Sequence, residues 1–111
     1  MSHWYILDEQ NKPVLCDDHA ARHRWIASLP EDERTSIDCK VDHWTNGDVS
    51  VSTVFRGLDH GWNSDVPLVF ETMIFGGERD ENCERYATWD EAKAGHDRIV
   101  NEVIAGETAS T

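Results

Sequence analysis

The sequence predicts an α+β fold, an antiparallel sheet of about four strands with two helices packed on one face. Short segments rich in aromatic and β-branched residues are bounded by turn residues, and two longer segments repeat their apolar residues at helical spacing. The elements follow the order β-α-β-β-β-α, and strands in succession favour antiparallel pairing. A chain of 111 residues suffices for one two-layer core. We therefore expect a single domain over residues 1–106 and a disordered tail over 107–111.

The N-terminal part of the chain predicts one strand and one helix. The segment HWYILD (3–8) has strand composition, and the turn cluster EQNKP ends it. The segment CDDHAARHRWIASLP then predicts a helix that Asp17 or Asp18 caps and that Pro30 ends. The apolar face of this helix is expected to hold Ala21, Trp25, Ile26 and Leu29.

A hairpin is predicted in the middle of the chain. The segment IDCKVDHW (37–44) alternates between apolar and polar residues, as a half-buried strand does. Its expected core face holds Ile37, Cys39, Val41 and His43. Its expected polar face holds Asp38, Lys40, Asp42 and Trp44. The segment TNGD (45–48) contains the Asn-Gly pair of a type I′ turn, and VSVSTVFRGL (49–58) is the partner strand. The partner strand's expected core face holds Val49, Val51, Thr53 and Phe55.

The next strand is predicted to be central in the sheet. The segment PLVFETMIFG (67–76) is apolar on both faces, which is typical of a strand covered on both sides. Gly76 and Gly77 end it, and the charged connection ERDENCERYA (78–87) has room for a short extra strand.

The segment TWDEAKAGHDRIVNEVIAG (88–106) predicts the second helix. Thr88 and Glu91 form a capping box, and Gly106 is expected to end the helix. The apolar stripe consists of Trp89, Ala92, His96, Ile99, Val100, Val103 and Ile104. We interpret His96, and likewise His43, as a core histidine hydrogen-bonded to neighbouring elements rather than as a catalytic group.

The net charge is −12, from 22 acidic against 10 basic residues. An acidic surface steers association with a basic partner, and it also keeps a small protein in solution. The sequence has no basic patch, so we expect no direct binding to nucleic acid, because phosphate contacts supply most of that affinity. No apolar run approaches the roughly 20 residues that span a bilayer. The start, MSHWYILDEQ, lacks the pattern of a signal peptide. We therefore expect a cytoplasmic protein without membrane contact.

Cys16, His19 and His23 are the candidate metal ligands of the sequence. Their C-x-x-H-x-x-x-H spacing puts both histidines on one helix face, where they and Cys16 could hold Zn²⁺. The competing interpretation is that these histidines lie on an ordinary solvent-exposed helix face beside Arg22 and Arg24. The glutamate of the H-E-x-x-H zinc motif is also absent. We predict no metal site and no cofactor.

The sequence also carries no catalytic motif. It contains no G-x-S-x-G, no Walker phosphate-binding loop and no G-x-G-x-x-G. We therefore predict that the protein is not an enzyme, and we assign no catalytic residue.

The loop GLDHGWNSDVP (57–67) is the main candidate for a partner-binding tip. Its glycines and its Asn-Ser-Asp run make it a hairpin connection first, and it adds acidic side chains and a tryptophan. Exposed tryptophans beside carboxylates are common in protein-binding surfaces. The alternative is that Trp44 and Trp62 each fold over the sheet edge. The predicted partner-binding residues are Asp59, His60, Trp62, Asp65, Trp44, Glu78, Asp80, Glu81 and Glu84.

Three blocks of the sequence resemble a family of small proteins encoded by bacteriophages and prophages. VSTVFRGLDH, PLVFETMIFGG and RYATWDEAKAGH, between residues 51 and 96, are similar to the family's segments STVF-GLDH, FETM-FGG and RY-TW-EA--GH. The matching positions are Leu58, Asp59, His60, Phe70, Glu71, Thr72, Met73, Phe75, Gly76, Gly77, Tyr86, Trp89 and His96. The resemblance supplies no activity and no catalytic residue. It implies a phage-encoded accessory protein that acts in the cytoplasm of an infected or lysogenic bacterium.

Charge and resemblance together predict a protein–protein inhibitor or modulator of host machinery, whose partner has a basic surface. A defence complex that handles nucleic acid, such as CRISPR–Cas, is the most attractive target. A virion-assembly or packaging accessory protein is the first alternative, and a small zinc-dependent enzyme is the second. The sequence leaves the oligomeric state open.

Overall fold

The computed structural model describes residues 3–34, 39–59 and 67–109, and it confirms the α+β class. Two α-helices, one 3-10 helix (Glu31–Glu33) and seven strands occur in these residues. The strands are β1 (His3–Leu7), β2 (Pro13–Leu15), β3 (Cys39–Asn46), β4 (Val49–Phe55), β5 (Leu58–Asp59), β6 (Phe70–Phe75) and β7 (Cys83–Tyr86). The helices are α1 (His19–Ser28) and α2 (Trp89–Ala109).

The main layer is an antiparallel four-stranded sheet in the order β3-β4-β6-β7. Helix α2 lies across all four strands. Helix α1 packs beside the end of β4, where the rings of Trp25 and Phe55 meet edge to face with centroids 5.7 Å apart. Both helices contact the face of β4 that carries Thr53 and Phe55, since Thr53 is hydrogen-bonded to His96 of α2. The prediction of two helices on one face is confirmed, and β6 is a central strand as expected.

A second, smaller sheet in the order β2-β1-β5 was not predicted. The turn after β1 closes with Asn11 at a positive φ of 61°, and β2 then pairs back onto β1. The Asp8 carboxylate stabilises this turn by accepting hydrogen bonds from the backbone N–H groups of Gln10 and Lys12. Strand β5, inside the segment interpreted as a loop, pairs with β1 on its other side. Strands of three and two residues are too short to show alternation in the sequence.

The core contains a continuous series of aromatic contacts under the two helices. Trp25 packs on Phe55. The ring centroids of Phe55 and Phe70 lie 5.1 Å apart, and those of Phe70 and Trp89 of α2 lie 6.2 Å apart. A second apolar cluster joins Val51 and Ile74 of the sheet to the C-terminal half of α2. Both phenylalanines have no exposed surface, so this series forms the centre of the core.

A β-bulge in β3 overturns the predicted faces of that strand. Lys40 pairs with Val54, but the next register pair is Asp42 with Thr53, so Val41 is an extra residue. Beyond the bulge the alternation is inverted relative to the sequence pattern. Asp42 faces α2, where Lys93 donates to its carboxylate at 2.9 Å. His43 is exposed, so its predicted core position is wrong.

The turn between β3 and β4 is displaced by one residue from the prediction. Asn46 pairs with Val49, so the turn residues are Gly47 and Asp48. Only Gly47 of these two has a positive φ, 61°. The hairpin is confirmed, but the type I′ turn is wrong, because that turn needs positive φ at both central residues. Glycine first with a positive φ is the arrangement of a type II′ turn.

The helix starts agree with the prediction, and one helix end does not. The Asp18 carboxylate accepts hydrogen bonds from the N–H groups of Ala20 and Ala21 at the start of α1. The Thr88 hydroxyl accepts from the N–H of Glu91 at 3.1 Å at the start of α2. Gly106 does not end α2, which continues to Ala109. Neither helix is long and apolar enough to cross a membrane, among the residues that the structure describes.

Candidate partner-binding surface

Four of the predicted partner-binding residues belong to the segment after β4. His60, Trp62 and Asp65 lie outside the described residues. Asp59 is the last residue of β5, and its backbone pairs with that of His3 in β1. The segment therefore begins as part of the small sheet, and not as a free hairpin tip.

Trp44 is not on the polar face of β3, because the bulge turns it toward the core. It packs partly buried against the cluster formed by Val51 and Ile74 with α2. The prediction that Trp44 points to the polar side is therefore wrong.

The loop between β6 and β7 holds Glu78, Asp80 and Glu81, which are all exposed. Its shape is fixed by its own hydrogen bonds. The N–H of Gly76 donates to the Asp80 carboxylate at 2.6 Å, and the N–H of Glu81 donates to the backbone oxygen of Ile74 at 2.8 Å. Asp80 thus stabilises the loop, whereas Glu78 and Glu81 are exposed and form no ion pair within the described residues.

Glu84, the last predicted contact residue, takes part in an ion-pair network with α2. Arg98 donates to both oxygens of Glu84 and lies 3.4 Å from Glu102, which Arg79 of the β6–β7 loop also contacts at 3.0 Å. Glu84 raises the pKa of Arg98 by hydrogen bonding to it. Glu84 is therefore already paired within the fold.

An apolar groove of about 300 Å³ opens between the β6–β7 loop and the C-terminal half of α2. Its floor consists of Val49, Ile74 and Val103. Glu78 stands on its rim, and Gly106 forms part of the helix wall. Apart from the helix's own backbone and the adjacent residues, no atom of the described part of the chain lies within 4 Å of the position that a Cβ at Gly106 would take. Sequence reasoning missed this site; its only signal was a glycine three residues after Val103 on an otherwise apolar stripe.

A buried polar network crosses from the sheet to α2. The Thr53 hydroxyl lies 2.5 Å from that of Thr72 and 2.7 Å from Nδ1 of His96. Nε2 of His96 faces the Asp42 carboxylate at 3.8 Å. Burial lowers the pKa of His96, and the nearby Asp42 carboxylate opposes this effect. A neutral His96 with its proton on Nε2 leaves Nδ1 free to accept a hydrogen bond from Thr53.

This hydroxyl–imidazole–carboxylate order resembles that of a nucleophilic site, but a substrate has no access to it. Thr53 has no exposed surface and His96 is 2% exposed. A nucleophile must reach the substrate atom that it attacks. The arrangement therefore acts as a core network, and the prediction of a hydrogen-bonded core histidine at position 96 is confirmed.

On the opposite face of the sheet, Glu71 is buried between two arginines. Arg85 contacts its carboxylate at 3.0 Å and Arg56 at 3.4 Å. Both arginine side chains are about half exposed, so the buried charge is compensated at the surface.

The structure does not bring the candidate metal ligands Cys16, His19 and His23 together in a metal site. His19 packs edge-on against Trp4, with centroids 5.7 Å apart, and Cys16 directs its thiol to the backbone oxygen of Asp18. No group of three His, Cys, Asp or Glu side chains that could hold a metal ion occurs within residues 3–34, 39–59 and 67–109.

Comparison with known proteins finds no matching family model, no matching curated protein and no matching solved structure. The assignment of function therefore rests on the chain's own residues.

Proposed function

We propose that the protein acts by binding a protein partner that presents a basic surface. In line with the resemblance noted above, the proposed role is a phage-derived inhibitor or modulator of host machinery in the bacterial cytoplasm. A defence complex that binds nucleic acid is the favoured partner, because such complexes present basic surfaces to phosphate.

The observation that carries this proposal is the surplus of exposed carboxylates. Five of the basic side chains are engaged by carboxylates within the fold, namely Arg56, Arg79, Arg85, Lys93 and Arg98. Exposed acids that form no ion pair within the described residues include Glu9, Glu31, Asp32, Glu33, Glu78, Glu81, Asp90 and Asp97. With a net charge of −12, the surface attracts a basic partner and repels nucleic acid.

Affinity capture from bacterial lysate at rising salt tests the proposal. We expect a retained protein at low salt that is released as salt screens the charges. Neutralising two loop carboxylates in the double variant Glu78→Gln/Glu81→Gln should weaken retention. Glu9→Gln/Glu31→Gln makes the same charge change elsewhere on the surface and is the matched control. Absence of any partner at low salt, or retention that does not depend on salt, would refute the proposal.

A further inference from the structure

We propose that the groove between the β6–β7 loop and α2 takes one apolar side chain of the partner, flanked in the partner by lysine or arginine. This inference rests on the proposed function and adds a specific anchor to it. It makes the acidic loop one part of a site that also has an apolar floor.

The floor provides the contact for an apolar group. Ile74 and Val103 are core residues whose outer surfaces form the base of the groove, and half-buried Val49 completes it. A volume of about 300 Å³ is at the small end of the range for ligand pockets. It suits one side chain better than a whole helix. Anchor side chains in such pockets carry much of the energy of a protein interface.

The rim selects a basic flank. The residues from Glu78 to Glu81 comprise three acids and one base, and that base, Arg79, is already paired with Glu102 of α2. A partner segment whose apolar residue enters the groove therefore passes beside Glu78, which lines the groove, and Glu81 is exposed further along the same loop. Positive residues next to the anchor would gain from both carboxylates, and acidic residues would be repelled.

The groove is formed before any partner binds. Gly76 and Gly77 adopt positive φ values of 84° and 73°, and the hydrogen bond from Gly76 to Asp80 closes the loop. At Gly76 a Cβ would lie 2.1 Å from the backbone oxygen of Asp48, so only glycine fits there. Because this wall of the groove is already ordered, binding does not lose the conformational entropy of ordering it.

A second copy of this chain is a less suitable occupant. Each copy carries a net charge of −12, so two copies repel each other at the acidic rim. The exposed apolar Ile104 in α2 of another copy is not flanked in sequence by lysine or arginine, because residues 99–106 contain neither. Charge therefore favours a basic partner over self-association.

Selection from a random peptide library tests the inference, with the variant Gly106→Trp as the key comparison. The indole should fill the groove without a steric clash at Cβ. We expect the wild type to select peptides with a large apolar residue beside lysine or arginine. Gly106→Trp should lower the binding affinity for a selected peptide by about tenfold or more, which is the loss typical of removing an anchor contact. The matched control, Gly106→Ala, should bind that peptide as the wild type does.

Two further measurements separate the possible outcomes. The selected peptide should shift the methyl NMR signals of Val49, Ile74 and Val103, a result that does not depend on how Gly106→Trp folds. One outcome would refute the groove but not the proposed function. In that outcome, basic peptides bind in a salt-sensitive manner and Glu78→Gln/Glu81→Gln weakens their binding. The same peptides bind Gly106→Trp as they bind the wild type, and they leave these methyl signals unshifted. If selection yields no basic peptides, or binding does not respond to salt, both proposals fail. Self-association that the peptide does not compete with, measured by sedimentation, would assign the groove to a second copy and overturn the inference.

Discussion

The buried histidine of α2 predicts how the stability of the fold depends on pH. His96 is 2% exposed, its Nδ1 lies 2.7 Å from the Thr53 hydroxyl and its Nε2 faces the Asp42 carboxylate, with Lys93 and Asp97 close to it in sequence. Burial lowers its pKa below the ordinary value of 6.5. The folded chain therefore keeps His96 neutral at pH values at which the unfolded chain has already bound a proton on this residue.

The sign and size of the effect follow from this difference in bound protons. Stability contributed by neutral His96 is fully present above pH 6.5 and is lost as pH falls from 6.5 toward the lowered folded pKa. A difference of one proton lowers the free energy of unfolding by up to about 1.4 kcal/mol per pH unit. The lowered pKa of Asp42 acts in the same direction only below 3.8, so the two effects occupy separate pH ranges.

The assay is urea unfolding at a series of pH values between 6.5 and 3.8, for the wild type and His96→Asn. The asparagine carbonyl can still accept from Thr53, but it binds no proton, so we expect a lower plateau and a flatter pH dependence. His23→Asn makes the same chemical change at an exposed position and is the matched control. A wild-type curve that is flat over this range, or a slope that persists in His96→Asn, would refute the reasoning.

Three further substitutions test the packing and capping of α2, all by the free energy of unfolding in urea. In Gly95→Ala the new Cβ would lie 2.4 Å from the Tyr86 ring, so we expect a loss of about 1–3 kcal/mol that outweighs the helix propensity of alanine; a gain would mean that the ring moves freely. Gly106→Ala has open space around its Cβ and should gain about 0.5–1 kcal/mol, and an unchanged stability would contradict an ordered helix at this residue. Thr88→Ala removes the hydroxyl that accepts from the N–H of Glu91 and should cost about 1 kcal/mol, and an unchanged stability would show that water replaces the cap.

Local chemistry made much of the fold predictable. Asp18 and Thr88 are short polar residues directly before helical patterns, and both cap their helices as the sequence indicated. Phe55 and Phe70 fell on strands with strong β composition, and both are at the centre of the core. Signals of this kind depend only on residues that are close in sequence, so they can be recognised in a single sequence.

The candidate site was less predictable because it depends on contacts between distant residues. The bulge at Val41 has no local marker, yet it exchanges the faces of Asp42, His43 and Trp44. The groove arises where the end of α2 passes over the β6–β7 loop, and its floor joins residues from three elements. Acidic residues such as Glu78 could be selected from the sequence, whereas the pairing of Glu84 with Arg98 could not.

The aromatic series under the helices also gives the protein an internal optical reporter. Trp25 and Trp89 stand at its two ends, one on each helix, and both are held edge-on against buried phenylalanine rings. Such fixed, asymmetric surroundings produce near-ultraviolet circular dichroism, which disappears when side-chain packing loosens even if the helices persist. A partner or mutation that lifts either helix from the sheet would thus change this signal while the far-ultraviolet spectrum stays constant. Loosened packing can therefore be told apart from unfolding without any added label.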